Sequence, residues 1–312
     1  MAAARDTRPE RAVYASTSTL SPPLQRFEAN VTSQCGEDGV IARVLELVGE
    51  RDRWCVEFGA WDGRLASNTF ALIERDGYRA VLIESDPTRY RDLVRTHERR
   101  PGVIALERRV GTEGEDRLDA ILAGTPIPRE FDLLVIDVDG NDYHIWDSVR
   151  DYRPKVVVIE FNPTIPNEVD FVQARDPTVS QGSSLTAIAR LAAEKGYRLV
   201  HATAVNGLFV EERYFCAFGI ADPSPAGLRA DLSHVTWMFQ TYDGRVHLVG
   251  NQRARWHDVP LRPESMQVVP VVLQGFPALF SPRRTILWRL WQLSREPRAV
   301  TGRIARRLRA RG

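Results

Sequence analysis

Apolar and polar positions repeat along residues 40–210 in one form: a short apolar run, a polar or glycine-bearing turn, then apolar residues three and four apart. Val40–Val48 has helical spacing. Trp54-Cys55-Val56-Glu57-Phe58 is an apolar run that breaks at Gly59, and a helical pattern begins near Ser67 and ends at Gly77. Tyr78–Glu84 reads as a second strand, residues 87–98 as a helix with Pro87 in its first turn, and Val103–Leu106 as a third strand. Leu118–Leu122 looks helical, and Phe131–Asp137 is apolar enough for a strand buried on both faces. A short helix over Ile145–Tyr152 leads to Val156–Glu160, and Leu185–Lys195 is an amphipathic helix. Tyr197–His201 and Leu208–Val210 flank Asn206-Gly207, a hairpin turn dipeptide. Strands alternating with helices predict right-handed crossovers, hence a doubly wound α/β sheet that is mostly parallel and finishes on an antiparallel pair.

The flanks read differently. Residues 1–25 are polar with Pro22-Pro23 and are expected to form a mobile leader. The domain built from alternating strands and helices occupies 26–220. Within it, 164–183 is long and irregular, the length of a lid or binding loop. Periodicity weakens over 221–282, a C-terminal extension in which Val246–Val249 and Val268–Leu273 are candidate strands. Residues 283–312 form a basic tail bearing tryptophan and arginine, with helical patterns at Ile286–Leu293 and Ile304–Leu308. Among 312 residues, 43% are hydrophobic and 27% charged, and the net charge is +1. That balance hides the tail, which contains one acid, Glu296, so the rest of the chain is net acidic. Cys35, Cys55 and Cys216 are scattered, which argues against a disulfide framework or a structural zinc site. With no signal-peptide core and no membrane-length apolar run, the expected compartment is the cytoplasm.

The candidate chemistry lies at strand ends, where an open α/β sheet binds its ligands. Glu57, Gly59, Asp62 and Gly63 belong to the turn after the first strand, where glycine lets backbone approach a ligand. Glu84 ends the second strand twenty-one residues beyond Gly63, a position from which an acid can accept ribose hydroxyl protons. Asp86 begins the next helix. Asp137-Val138-Asp139-Gly140-Asn141-Asp142-Tyr143-His144, at the mouth of the fourth strand, is the densest cluster of ionisable groups. Glu160 ends the fifth strand, with Asn162 two residues later. Ser33 and Glu37 suit a helix cap, and the turn around them is also placed to pack over the glycine loop.

Taken in order, Ser33-Gln34-x-Gly36-Glu37-Asp38-Gly39, Val56-Glu57-Phe58-Gly59-Ala60-Trp61-Asp62-Gly63 with Ser67-Asn68, Ile83-Glu84-Ser85-Asp86, Asp137-Val138-Asp139-Gly140-Asn141-Asp142-Tyr143 and Ile159-Glu160-Phe161-Asn162 resemble the class I S-adenosylmethionine-dependent methyltransferases, and within them the FkbM-type group. The resemblance spans roughly 30–220 and implies a Rossmann-like seven-stranded sheet. It implies S-adenosylmethionine as cofactor, with Gln34, Glu37, Glu57, Gly59, Asp62, Gly63, Asn68, Glu84, Asp86 and Asp137 around it. Glu84 would hold the ribose, Val110 and Gly111 would approach the adenine, and Asp137 would sit beside the methionine amine. Here Asp139 stands where the group usually has glutamate.

A sulfonium methyl is already electrophilic, so the protein must align an acceptor oxygen and remove a proton. Asp139 and His144 are the candidate bases, with Asp137 nearer the cofactor. A second route uses Mg2+ on Asp137, Glu160 and Asn162, whose hard oxygens suit it. The expected acceptor is a hydroxyl of a sugar, glycolipid or related secondary metabolite. The competing readings are a methyltransferase fold that only binds, and a nicotinamide-dependent oxidoreductase, disfavoured by the missing G-x-G-x-x-G. Residues 283–312 suit an anionic membrane surface, which would make the protein membrane-associated, and nucleic acid is not an expected partner.

Overall fold

A computed structural model of the chain describes residues 23–49 and 51–296. The expected tail helix at 304–308 and most of the expected leader lie outside the described residues. Two compact units divide at residue 235.

The first unit is built on a seven-stranded sheet of order β3-β2-β1-β4-β5-β7-β6. The strands are β1 (Trp54–Phe58), β2 (Arg79–Glu84), β3 (Val103–Glu107), β4 (Leu133–Ile136), β5 (Val156–Glu160), β6 (Tyr197–Ala202) and β7 (Asn206–Glu211). β1 to β5 pair in parallel, and β7 runs antiparallel between β5 and β6. The helices are α1 (Glu37–Val48), α2 (Phe70–Asp76), α3 (Pro87–Thr96), α4 (Leu118–Ala123), α5 (Asp142–Ser148) and α6 (Leu185–Glu194).

Alternation along each strand sends successive side chains to opposite faces, and both are covered. Trp54, Val56 and Phe58 of β1 join Leu134 and Ile136 of β4 beneath α4, α5 and α6. Cys55, Leu133 and Val135 point the other way, toward α1, α2 and α3. This is the doubly wound arrangement the sequence predicts.

Three local expectations are corrected. Asn206-Gly207 is not the hairpin turn: both residues lie in β7, and the chain reverses over 203–205, closed by Thr203 N–H to the Asn206 carbonyl. α2 begins at Phe70, not near Ser67, because Ser67–Thr69 are held by Glu57. Leu24, placed in the leader, is buried ahead of a 3-10 turn at Gln25–Phe27.

The compact unit continues past residue 220, through α7 (Pro225–Leu228). Leu228 is buried, and the buried Arg229 guanidinium donates to the carbonyls of Pro163 (2.5 Å) and Ile165 (2.8 Å) over the face of Phe161. Desolvation lowers its pKa to about 10.

The second unit contains the antiparallel pair β8 (Thr236–Gln240) and β9 (Val246–Gly250), followed by short turns and α8 (Pro282–Arg295). The expected strand at Val268–Leu273 is absent; Val271–Leu273 forms a 3-10 turn.

At the N-terminal edge of the first sheet, Asp132 is fully buried. Its carboxylate accepts from Lys155 Nζ (2.8 Å), Tyr78 O–H (2.9 Å) and the Asp52 and Arg53 N–H groups. Removing one partner of a buried pair leaves the other charge uncompensated. Asp132→Ala is therefore expected to lower unfolding stability by about 3–5 kcal/mol in urea titration; a loss below about 1 kcal/mol would show the network to be dispensable.

Candidate active site

Strand register places the site. Phe58 pairs with Ile83 on one side and Ile136 on the other, Ile136 pairs with Ile159, and Glu160 faces Asn206. The next residues along, Glu84, Gly59, Asp137 and Glu160, therefore form one row across the C-terminal ends of four adjacent strands. At about 4.8 Å per strand, the row spans roughly 14 Å.

Glu57 organises the loop after β1. Its buried carboxylate accepts from Ser67 Oγ (2.7 Å), Thr69 Oγ1 (2.6 Å) and Asn68 N–H (2.8 Å), so the far limb of the loop is tied to the strand. Desolvation raises its pKa despite those bonds. Gly59 has φ +72°, and a Cβ there would lie 2.0 Å from the Asp137 carbonyl oxygen. The loop after β1 can touch the turn after β4 only with glycine at this position.

The turn after β4 is shaped by Asp142, a residue the sequence reading did not single out for the site. Its carboxylate accepts from Val138 N–H (2.9 Å) and Gly140 N–H (2.8 Å), folding residues 137–142 back over the start of α5. Asp139 takes a left-handed φ of +56°, uncommon outside glycine but tolerated by aspartate. Such conformations collect at functional sites.

Asp137, Asp139 and Glu160 each bring a carboxylate oxygen within 4.8 Å of the others. Asp139 thus stands where the sequence reading put Asn162. The Asn162 amide is turned to its own loop: Nδ2 donates to Gln181 O (2.7 Å), and Oδ1 accepts from Thr164 N–H and Oγ1. Burial raises the Asp137 pKa well above the carboxylate range, and the nearby charges of Asp142, Asp139, Glu57 and Glu37 add to it. Burial likewise raises Asp142, against the two backbone bonds it accepts.

The loop 164–183 roofs this turn. Asn141 Nδ2 donates to the carbonyls of Asp176 and Val179. Gln173, buried in the loop, accepts from Gln181 and Gly182 N–H and donates to Val179 O. His144 is buried beneath it with Nε2 2.8 Å from the Gln173 carbonyl, so it supports the roof and is not brought to the carboxylate cluster.

Between the strand row and the roof is a crevice of about 480 Å³, within the range of small-molecule sites. Gly59, Ile83, Val110, Gly111, Asn141 and Ser180 are among its walls. Glu84, buried between the wall residues Ile83 and Ser85, accepts from Trp61 N–H (2.9 Å) and Asp86 N–H (2.7 Å).

The remaining named residues lie in supporting positions. Asp62 accepts from Arg64 and Leu65 N–H, and Asp86 caps α3 by accepting from Thr88 and Arg89 N–H, bonds that lower its pKa. Gly63, at φ +72°, sits against Leu93 and His97. Glu37 ties α1 to the β6–β7 turn through Thr203 Oγ1 (2.7 Å) and Asn206 Nδ2 (3.1 Å). The Gln34 side chain is exposed, and Asn68 is buried with Oδ1 unpartnered. The polar turn at 32–39 meets the glycine loop through Thr32 Oγ1 and the Ser67 carbonyl (3.0 Å).

This strand order with its reversed β7, and the acids at the strand tips, is the Rossmann-like arrangement expected from the sequence. Residues 107–199, from the end of β3 into β6, match the family described as methyltransferase FkbM domain. That match covers 93 of the 312 residues. No curated protein matches the chain. Similar solved structures include the 23S rRNA methyltransferase ErmE (21% identity, 38% of this chain and 43% of that one, TM-score 0.27). Another is TYW2 of M. jannaschii in complex with AdoMet (14%, 58% and 78%, TM-score 0.33). A third is the precorrin-6y C5,15-methyltransferase of Geobacter metallireducens GS-15 (15%, 58% and 91%, TM-score 0.35). The chain thus spans less than half the length of the first of these.

The raised Asp137 carboxyl has a thermal signature. Above the ordinary carboxylate pKa of about 4, the unfolded chain has lost this proton while the folded chain keeps it. Asp137 therefore makes stability fall as pH rises through that window. With chelator present, the melting temperature of Asp137→Asn should fall less than the parent's between about pH 5 and pH 8. Parallel curves would mean that Asp137 is not crowded by like charge.

Proposed function

We propose that the protein transfers a methyl group from S-adenosylmethionine to a hydroxyl oxygen of a sugar, glycolipid or related secondary metabolite. The observation that carries this reading is the convergence of acids at the strand ends: Asp137, Asp139 and Glu160 bring carboxylate oxygens within 4.8 Å of one another. Buried like charges repel, and a cationic ligand removes the repulsion. S-adenosylmethionine brings two cations, a sulfonium and an ammonium.

Gly59 admits the methionine portion, and Glu84 is positioned to accept the ribose hydroxyl protons. Ile83, Val110 and Gly111 supply the less polar end of the crevice for the adenine. Asp139, exposed at the mouth, is the base for the acceptor hydroxyl. The acceptor oxygen bonds to the methyl carbon as the carbon–sulfur bond breaks, S-adenosylhomocysteine leaves, and the hydroxyl proton passes to Asp139.

The three converging carboxylates also fit Mg2+, a hard cation that favours oxygen donors. Asp137, Asp139 and Glu160 would hold it, and it would lower the pKa of an acceptor hydroxyl.

Calorimetry with S-adenosylhomocysteine tests the donor site. Glu84→Ala should weaken binding at least about tenfold, which is about 1.4 kcal/mol; an unchanged affinity would remove Glu84 from the ribose. For the cation, millimolar MgCl2 should raise the melting temperature of the parent and not of Glu160→Gln. Equal responses would leave proton removal to Asp139 alone.

A further inference from the structure

The second unit differs sharply in charge from the first. Residues 236–312 contain fourteen arginines and four acids, a net of +10, so the other 235 residues carry −9 within the whole-chain +1. In this basic unit α8 has no buried residue. Its inner side is held by Arg284, stacked on Phe280 at 4.3 Å and bonded to the Gln274 carbonyl, and by Trp288 edge-on to Phe280. The tryptophans, expected from sequence to face a membrane, are only half exposed.

The outer side is aliphatic. Ile286, Leu290 and Leu293, spaced i, i+4 and i+7, are 59%, 58% and 40% exposed, and Leu287 beside them is 51% exposed. At 100° per residue, Arg283 and Arg289 lie about 60° to either side of Ile286. An apolar stripe edged by cations on an exposed helix is unusual on a soluble surface and matches a helix lying in a bilayer interface.

We propose that α8 docks on the surface of an anionic phospholipid bilayer. The stripe enters the acyl boundary while Arg283 and Arg289 meet lipid phosphates. Charge complementarity selects this occupant: each arginine near an anionic surface adds to binding, and residues 297–312 add six more arginines and no acid. Nucleic acid fits the charge but not the stripe, since leucine and isoleucine offer no ring for base stacking. The proposal does not depend on methyl transfer and is tested by binding alone.

Full-length protein in about 0.1 M salt is sedimented with vesicles of phosphatidylcholine alone or mixed with phosphatidylglycerol. Binding should be at least tenfold stronger with phosphatidylglycerol, and Ile286→Glu with Leu290→Glu should reduce it at least tenfold without changing the melting temperature. Equal binding to both vesicles, or undiminished binding by the double variant, would overturn the proposal. So would tenfold preference for a DNA duplex over anionic vesicles, or a concentration-dependent dimer lost in the variant with no vesicle binding. Should the variant fail to fold, the milder Ile286→Ser with Leu290→Ser is sedimented instead: a tenfold loss of binding to anionic vesicles supports docking, and undiminished binding overturns it.

Discussion

The contact between Gly59 and the carbonyl of Asp137 governs the site. Two loops leave neighbouring parallel strands at the same height and must pass each other with no side chain between them. Because they do, the β1 loop and the β4 turn share one wall of a crevice. Glu57 and Asp142 serve the same end from either side, each using one carboxylate to gather several donors and fix a loop that would otherwise have many conformations. The rigid parts of the candidate site are thus acids facing inward to backbone.

Concentrating acids in this way has an electrostatic cost, visible in the raised Asp137 and Asp142. The fold tolerates it because the sheet is secured elsewhere: the Asp132–Lys155–Tyr78 network closes the opposite edge, and continuous apolar layers cover both faces.

Much of this was legible in the residues. Apolar runs ending in Glu84, Asp137 and Glu160 announced buried parallel strands with acids at one edge, because periodicity and strand ends are local properties. What stayed hidden depends on register and on backbone direction. Asp139 joins Asp137 and Glu160 through a left-handed residue that no spacing reveals, while Asn162 turns back to Gln181. His144 was conspicuous for its chemistry, yet its helix carries it under the roof. Asn206-Gly207 had the composition of a turn but was claimed by pairing with Glu160 and Ile159. On α8 the tryptophans drew attention, whereas the face left uncovered is aliphatic.

The buried guanidinium of Arg229 has a consequence for where the first unit ends. It sits on Phe161, one residue past Glu160, and binds the backbone of the loop that leads from the fifth strand into the roof. A segment outside the seven strands therefore acts as a keystone for the roof of the crevice. Fold boundaries drawn at the last strand would cut through the support of the very loop that gives the crevice its ceiling, so architecture and autonomy part company in this chain.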